Sequence, residues 1–106
     1  MISINTLRSY YESDAVFMTQ HSSERCRQRG ILQKDIRHAI TTGEIIEQYP
    51  DDYPFPSCLV FGYTKNNRII HIVISDEGDS SRIITAYYPD STKWESDYKT
   101  RKEQKR

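Results

Sequence analysis

His21, Arg25 and Arg29 recur every four residues, and on a helix residues four apart stand nearly above one another. The three side chains then make one polar ladder about two turns long. Gly30 follows directly, where a helix ends on a residue at positive φ. An imidazole that exchanges protons near neutral pH, beside two fixed guanidinium charges, suits proton transfer on an anionic group such as a phosphate. A second imidazole, His71, stands in the apolar run Arg68–Ser75, and Thr85 and Tyr87 follow in the next such run. The ladder needs those strands beside it to become a site rather than a basic helix face.

The elements that must position these groups are legible in outline. Residues 3–12 predict a helix with Leu7, Tyr10 and Tyr11 on one side, and Phe17–Thr19 a short extended piece. The ladder helix covers about 20–29, and a third helix spans 33–42 through Ile36, Ala39 and Ile40, stopped by Gly43. Leu32 occupies that helix's cap slot, where Ser or Asp is usual. From Glu44 the period changes to that of strands: Glu44–Tyr49, Cys58–Tyr63, Arg68–Ser75 and Arg82–Tyr88. They are separated by a loop with Pro50, Pro54 and Pro56, a hairpin turn at Lys65–Asn67 and an acidic turn at Asp76–Ser81. The tail after Trp94 reads as helical or frayed. The expected class is α+β, with the N-terminal helices packed on one face of a four-stranded, mainly antiparallel sheet. Alternation puts Ile70, Ile72 and Ile74 toward the helices and His71 on the opposite face with Ile69 and Val73. In the last strand it groups Ile83, Thr85 and Tyr87 on one face and Ile84, Ala86 and Tyr88 on the other, so that Thr85 or Tyr87 can neighbour His71.

A chain of 106 residues has room for one domain, expected as a core of about 17–98 with a charged tail over 99–106. With 36% hydrophobic and 28% charged residues it should fold and stay soluble on a modest core. No apolar run approaches a membrane span and Met1–Thr6 lacks the features of a signal peptide, so no membrane partner is expected. Cys26 and Cys58 form neither a CxxC pair nor a disulfide framework, which fits a reducing cytoplasm and speaks against a metal site. The formal charge is zero, yet Arg25, Arg27, Arg29, Lys34 and Arg37 crowd one segment and Lys93, Lys99, Arg101, Lys102, Lys105 and Arg106 the tail. Acid gathers at Glu44–Asp52 and Asp76–Asp79. Such polarity can turn a positive face to nucleic acid, although two solvated helices and acidic loops give the same pattern.

The ordered set His21, Arg25, Arg29–Ile31, Asp35, Gly43–Glu44, Pro56–Leu59, His71–Val73, Thr85–Pro89 and Trp94 resembles the domain-of-unknown-function 4258 family. Ser22, where a small apolar residue is common in that family, and Leu32 are the departures. The family is similar to a branch of the barnase–EndoU–colicin–RelE-like (BECR) ribonucleases, which include bacterial toxins. The resemblance implies the same helix-on-sheet architecture, metal-independent RNA cleavage without a cofactor, and a neutralising antitoxin of the zinc-finger and helix-turn-helix kind. The implied substrate is mRNA, free or ribosome-bound, or tRNA.

Such cleavage needs a base for the 2′-hydroxyl, an acid for the leaving 5′-oxygen and cations for the phosphorane. His21 and His71 are the candidate acid and base, Arg25 the bidentate phosphate ligand, Thr85 an orienter of an imidazole, and Tyr87 a hydrogen-bond donor or a stacking platform. Arg29, Arg82, Lys99 and Arg101 are candidate RNA-backbone contacts. Each residue has a structural rival. His21 can cap its helix, Arg25 can pair with Asp51 or Asp52, and Arg29 can complement a helix C-terminus. His71 can be a satisfied core histidine, and Thr85 and Tyr87 ordinary strand residues. His38 and Trp94 read as surface and packing residues. The alternatives to an enzyme are a non-catalytic RNA- or protein-binding module and a small protein whose apolar face serves an obligate partner.

Overall fold

The computed structural model describes residues 1–103. Lys105 and Arg106, counted above in the basic tail, lie outside the described residues. Three helices, α1 (Ile4–Glu12), α2 (Gln20–Gln28) and α3 (Gln33–Thr42), pack on one face of a sheet. Its strands are β1 (Val16–Met18), β2 (Glu44–Tyr49), β3 (Ser57–Tyr63), β4 (Ile69–Asp76) and β5 (Ser81–Tyr87), in the order β1-β5-β4-β3-β2. No described helix is long and apolar enough to cross a membrane.

The helices form where capping and burial agree. Ser3 caps α1, its Oγ accepting from the Thr6 N–H at 3.1 Å, and Thr19 caps α2 by accepting from the Ser22 N–H at 3.0 Å. Gly30 ends α2 at φ +70° and lets the Ile31 N–H reach back to the Cys26 carbonyl at 2.8 Å. Leu32 has the extended backbone of a cap residue but makes no side-chain cap bond, so α3 relies on burying Ile36, Ala39 and Ile40. At its other end Arg8 of α1 donates to the carbonyls of Ile40 and Gly43 at 3.3 and 3.0 Å. These are acceptors that a helix C-terminus leaves without intrahelical partners.

The sheet has five strands, one more than expected. Phe17 and its neighbours are indeed extended, but they join the sheet as an edge strand parallel to β5, with Val16 opposite Ser81 and Met18 opposite Ile83. The sheet is therefore mixed. A three-residue strand has no period to read, and its partner lies at the far end of the chain. The other pairings are antiparallel, β2 with β3, β3 with β4 and β4 with β5.

Two register shifts decide which side chains share a face. In β5 the shift falls just before Thr85, so Thr85 lies opposite Val73 but Ile83 lies opposite Ile74. Ile84 is the extra residue, and Ile83 turns into the helix-side core with Ile72, Ile74 and Ala86. The expected grouping of Ile83 with Thr85 and Tyr87 is thus corrected. In β2 the shift between Ile45 and Glu47 puts Glu44 and Glu47 on one face, opposite Phe61 and Leu59. Over its described residues, to Glu103, the tail after Trp94 is not helical. It is a tight hairpin-like loop with Trp94 bridged to Arg101, laid over the sheet face that the helices leave open.

Candidate functional site

His71 sits in the middle of β4, between Phe61 of β3 and Tyr87 of β5, on the face away from the helices. It is nevertheless 0% exposed. Its Nε2 lies 2.7 Å from the Tyr98 carbonyl and its Nδ1 3.3 Å from the Tyr87 hydroxyl. A carbonyl oxygen only accepts, so Nε2 carries the proton, and Nδ1 of the neutral ring accepts from the Tyr87 O–H. Burial lowers the His71 pKa, against the opposing pull of the Tyr98 carbonyl and the Glu47 charge, and Arg101 lowers it further. Burial likewise raises that of Tyr87.

The cover is supplied by residues 93–103. The Trp94 ring, 3% exposed, stands edge-on to the imidazole with centroids 4.5 Å apart. Arg101 stacks on Trp94 and forks onto Glu47, with Nε–Oε2 at 2.8 Å and Nη2–Oε1 at 3.0 Å. The Tyr49 hydroxyl donates to the same carboxylate. Burial alone would raise the Glu47 pKa, but the bonds from Arg101 and Tyr49 outweigh it and hold the carboxyl below its usual range. Burial, with the bond to Glu47, pushes the Tyr49 phenol up to about 12. Lys99 pairs with Glu44 at 3.3 Å and lies over the Phe61 ring at 4.8 Å. The β2 bulge is what brings both glutamates to this face, and the tail's two cations meet them there.

The ladder lies along the neighbouring rim. β1 covers β5 only as far as Ile83, so the backbone edge beyond it is left to α2. Arg29 fills it, its Nη1 donating to the Ala86 carbonyl at 2.7 Å and the Thr85 hydroxyl at 3.2 Å. Arg29 is therefore tied to the sheet, and the reading of it as a plain C-terminal charge complement is too weak. His21 and Arg25 are exposed and make no side-chain hydrogen bond or ion pair among the described residues.

Of the predicted site residues, the structure joins His71 to Tyr87 and Thr85 to Arg29. No hydrogen bond joins His21 or Arg25 to that pair, and Arg25 does not meet Asp51 or Asp52. Arg82 is engaged by Glu77 at 3.0 Å, at the other end of β5. Lys99 and Arg101, expected on a free RNA-binding tail, are instead folded onto Glu44 and Glu47. Sequence reasoning missed Glu47, Tyr49, Phe61, Tyr98 and the placement of Trp94. Strand alternation alone could have found Phe61, but Glu47 needed the bulge and Tyr98 acts through its backbone. A separate groove of about 530 Å³ between the helices and β1 is lined by Phe17, Met18, Lys34 and Arg37, and holds none of the predicted residues.

A neutral buried imidazole makes stability depend on pH in a fixed direction. Its folded pKa lies below the ordinary 6.5, so as pH falls the unfolded chain takes up the proton first. The stabilising contribution is whole above about 6.5 and is lost as pH falls through the lower folded value. The melting temperature should drop as pH falls from about 7.5 to about 5, and His71→Gln should flatten that slope. Parallel slopes for both proteins in a thermal-melt series would remove His71 as the cause.

The fold and the site together define a small α+β domain with a histidine–tyrosine pair on the open face of its sheet and a cationic helix on the adjoining rim. The sequence model of the family described as Domain of unknown function (DUF4258) matches residues 18–88, and the chain belongs to that family. No curated protein and no solved structure matches.

Proposed function

We propose that this protein is a toxin-like, metal-independent endoribonuclease of the RelE-like, BECR kind, acting in the cytoplasm and held in check by a cognate antitoxin of the zinc-finger and helix-turn-helix type. The observation that carries the reading is the His71–Tyr87 hydrogen bond on β5, the strand whose Thr85 receives the Arg29 guanidinium. His71 of β4 and the Arg29 guanidinium thereby meet two nearby residues of one strand, Tyr87 and Thr85. In this reading Arg29, fixed by Thr85, sets the charge at the rim, and the unpaired Arg25 clamps the scissile phosphate of an mRNA or tRNA. The neutral His71, whose Nδ1 accepts from the Tyr87 O–H, takes the phenol's proton as the phenol takes that of the 2′-hydroxyl, and the exposed His21 protonates the leaving oxygen.

The test is cleavage of RNA by purified protein in EDTA, with and without ribosomes, scored for a 2′,3′-cyclic phosphate end. His21→Ala and Arg25→Ala should each slow it by about 10²-fold or more. Undiminished cleavage by a His21→Ala/His71→Ala double variant overturns the assignment of roles. Complete burial of His71 favours a second reading, a non-catalytic binding module with a structural histidine. That module would bind RNA without turnover, with affinity falling steeply toward about 200 mM salt.

A further inference from the structure

The contacts of residues 93–103 are unlike those of the rest of the sheet. Among the described residues, every backbone–backbone hydrogen bond these residues make is to the segment itself or to Asp90, as in Glu95 N–H to Thr100 at 2.8 Å and Lys102 N–H to Lys93 at 3.0 Å. The Asp97 carboxylate closes the loop by accepting from the Lys99 and Thr100 N–H groups at 2.9 and 3.0 Å. Toward the sheet the segment offers one buried ring, Trp94, one carbonyl, Tyr98, and two cations. Those cations are half in water: the Lys99 and Arg101 side chains are 40% and 55% exposed. Tyr98, whose carbonyl meets His71, sits at φ +56°, a left-handed conformation that costs a tyrosine energy and that the loop closure imposes. The family match ends at residue 88, before this segment begins.

We propose that residues 93–103 are an autoinhibitory strap. Folded down, it fills the His71 site with an aromatic ring and an acceptor oxygen, the two groups a nucleotide would bring to the same place. Lifted, it opens a nucleotide site on the sheet face around His71, Tyr87 and Phe61. Being self-bonded, the strap can leave as a unit without breaking any strand pairing. Its hold on Glu44 and Glu47 is the part that a polyanion can compete for, because an RNA backbone offers Lys99 and Arg101 alternative partners. The gate stands on this geometry alone; that lifting it releases RNA cleavage rests on the ribonuclease reading above.

Ethoxyformylation of imidazoles by diethyl pyrocarbonate, mapped by mass spectrometry on the full chain, tests the two claims separately. In the native protein His21 should label readily and His71 at least about tenfold less, in keeping with full burial. A Lys99→Ala/Arg101→Ala variant, checked for native circular dichroism, should raise His71 labelling about tenfold or more, and Trp94→Ala should do the same. Equal labelling of His71 and His21 in the native chain overturns the strap. So does unchanged protection of His71 in both loosened variants while they remain folded. Cleavage that rises with His71 labelling supports both claims. Labelling that rises with no cleavage in any variant leaves the strap standing and removes the ribonuclease reading.

Discussion

Replacing His71 by alanine is expected to lower RNA cleavage by about 10²–10⁴-fold, the range for losing a positioned acid or base. The same change removes a fully buried ring and leaves the Tyr87 hydroxyl and the Tyr98 carbonyl without their partner. A cavity and two orphaned polar groups should cost roughly 2–4 kcal/mol of stability, so activity must be measured well below the variant's melting point. Tyr87→Phe separates the two roles. It deletes only the hydroxyl that donates to Nδ1, and its stability cost should stay near 1 kcal/mol. If the pair works as a relay, Tyr87→Phe still slows cleavage by about 10²-fold or more. Should Tyr87→Phe cleave at the native rate, His71 is acting without the phenol, or is structural. Loss of activity in His71→Ala that merely tracks the folded fraction points to the structural role.

The helices were legible because local chemistry sets them. Gly30 takes the positive φ its position predicts, and Ile36, Ala39 and Ile40 recur at helical spacing, whereas the caps Ser3 and Thr19 emerge only in the structure. The central strand was legible too. Alternation placed Ile70, Ile72 and Ile74 toward the helices and His71 away from them, next to Tyr87. What escaped was non-local. β1 is too short to show a period and pairs across most of the chain. The two bulges reverse alternation at Ile84 and before Glu47, and nothing in those residues announces an extra position.

The same limit governs the site. Arg101 and Lys99 look like a free basic tail because their acidic partners are more than fifty residues away in sequence. Opposite charges at such separation meet only if the intervening fold brings them together, and that fold depends on a bulge. Trp94 reads as a packing residue in the sequence, and it does pack. Its neighbour turns out to be the candidate acid–base group itself, which changes the meaning of the contact. Of the ladder residues, Arg29 is fixed to β5, while His21 and Arg25 stay in solvent.

The tightest dependence of fold on sequence is at Gly43, where alanine is expected to cost about 3 kcal/mol. Gly43 has φ −96°, open to any residue, so conformation does not demand glycine there. Space does. A Cβ on Gly43 would stand 2.3 Å from both the Ala39 and Phe61 carbonyl oxygens, and both are backbone atoms that cannot swing aside. Gly62 has the same problem from the other side, with the Ala39 carbonyl at 2.6 Å and its Cβ at 2.7 Å. The pair lets α3 lie almost on the backbone of β3, and pushing them apart disturbs Phe61, the next residue along and a neighbour of His71. For a domain of this size the loss corresponds to a fall in melting temperature of roughly 12–24 °C. Gly30→Ala is the informative control. It keeps open space around the new Cβ and carries only the left-handed φ of +70°, so its cost should be about 1–2 kcal/mol. If Gly43→Ala melts within a few degrees of the native protein while Gly30→Ala falls further, α3 does not seat on β3 this closely. The route from that seating to the His71 site would then be lost.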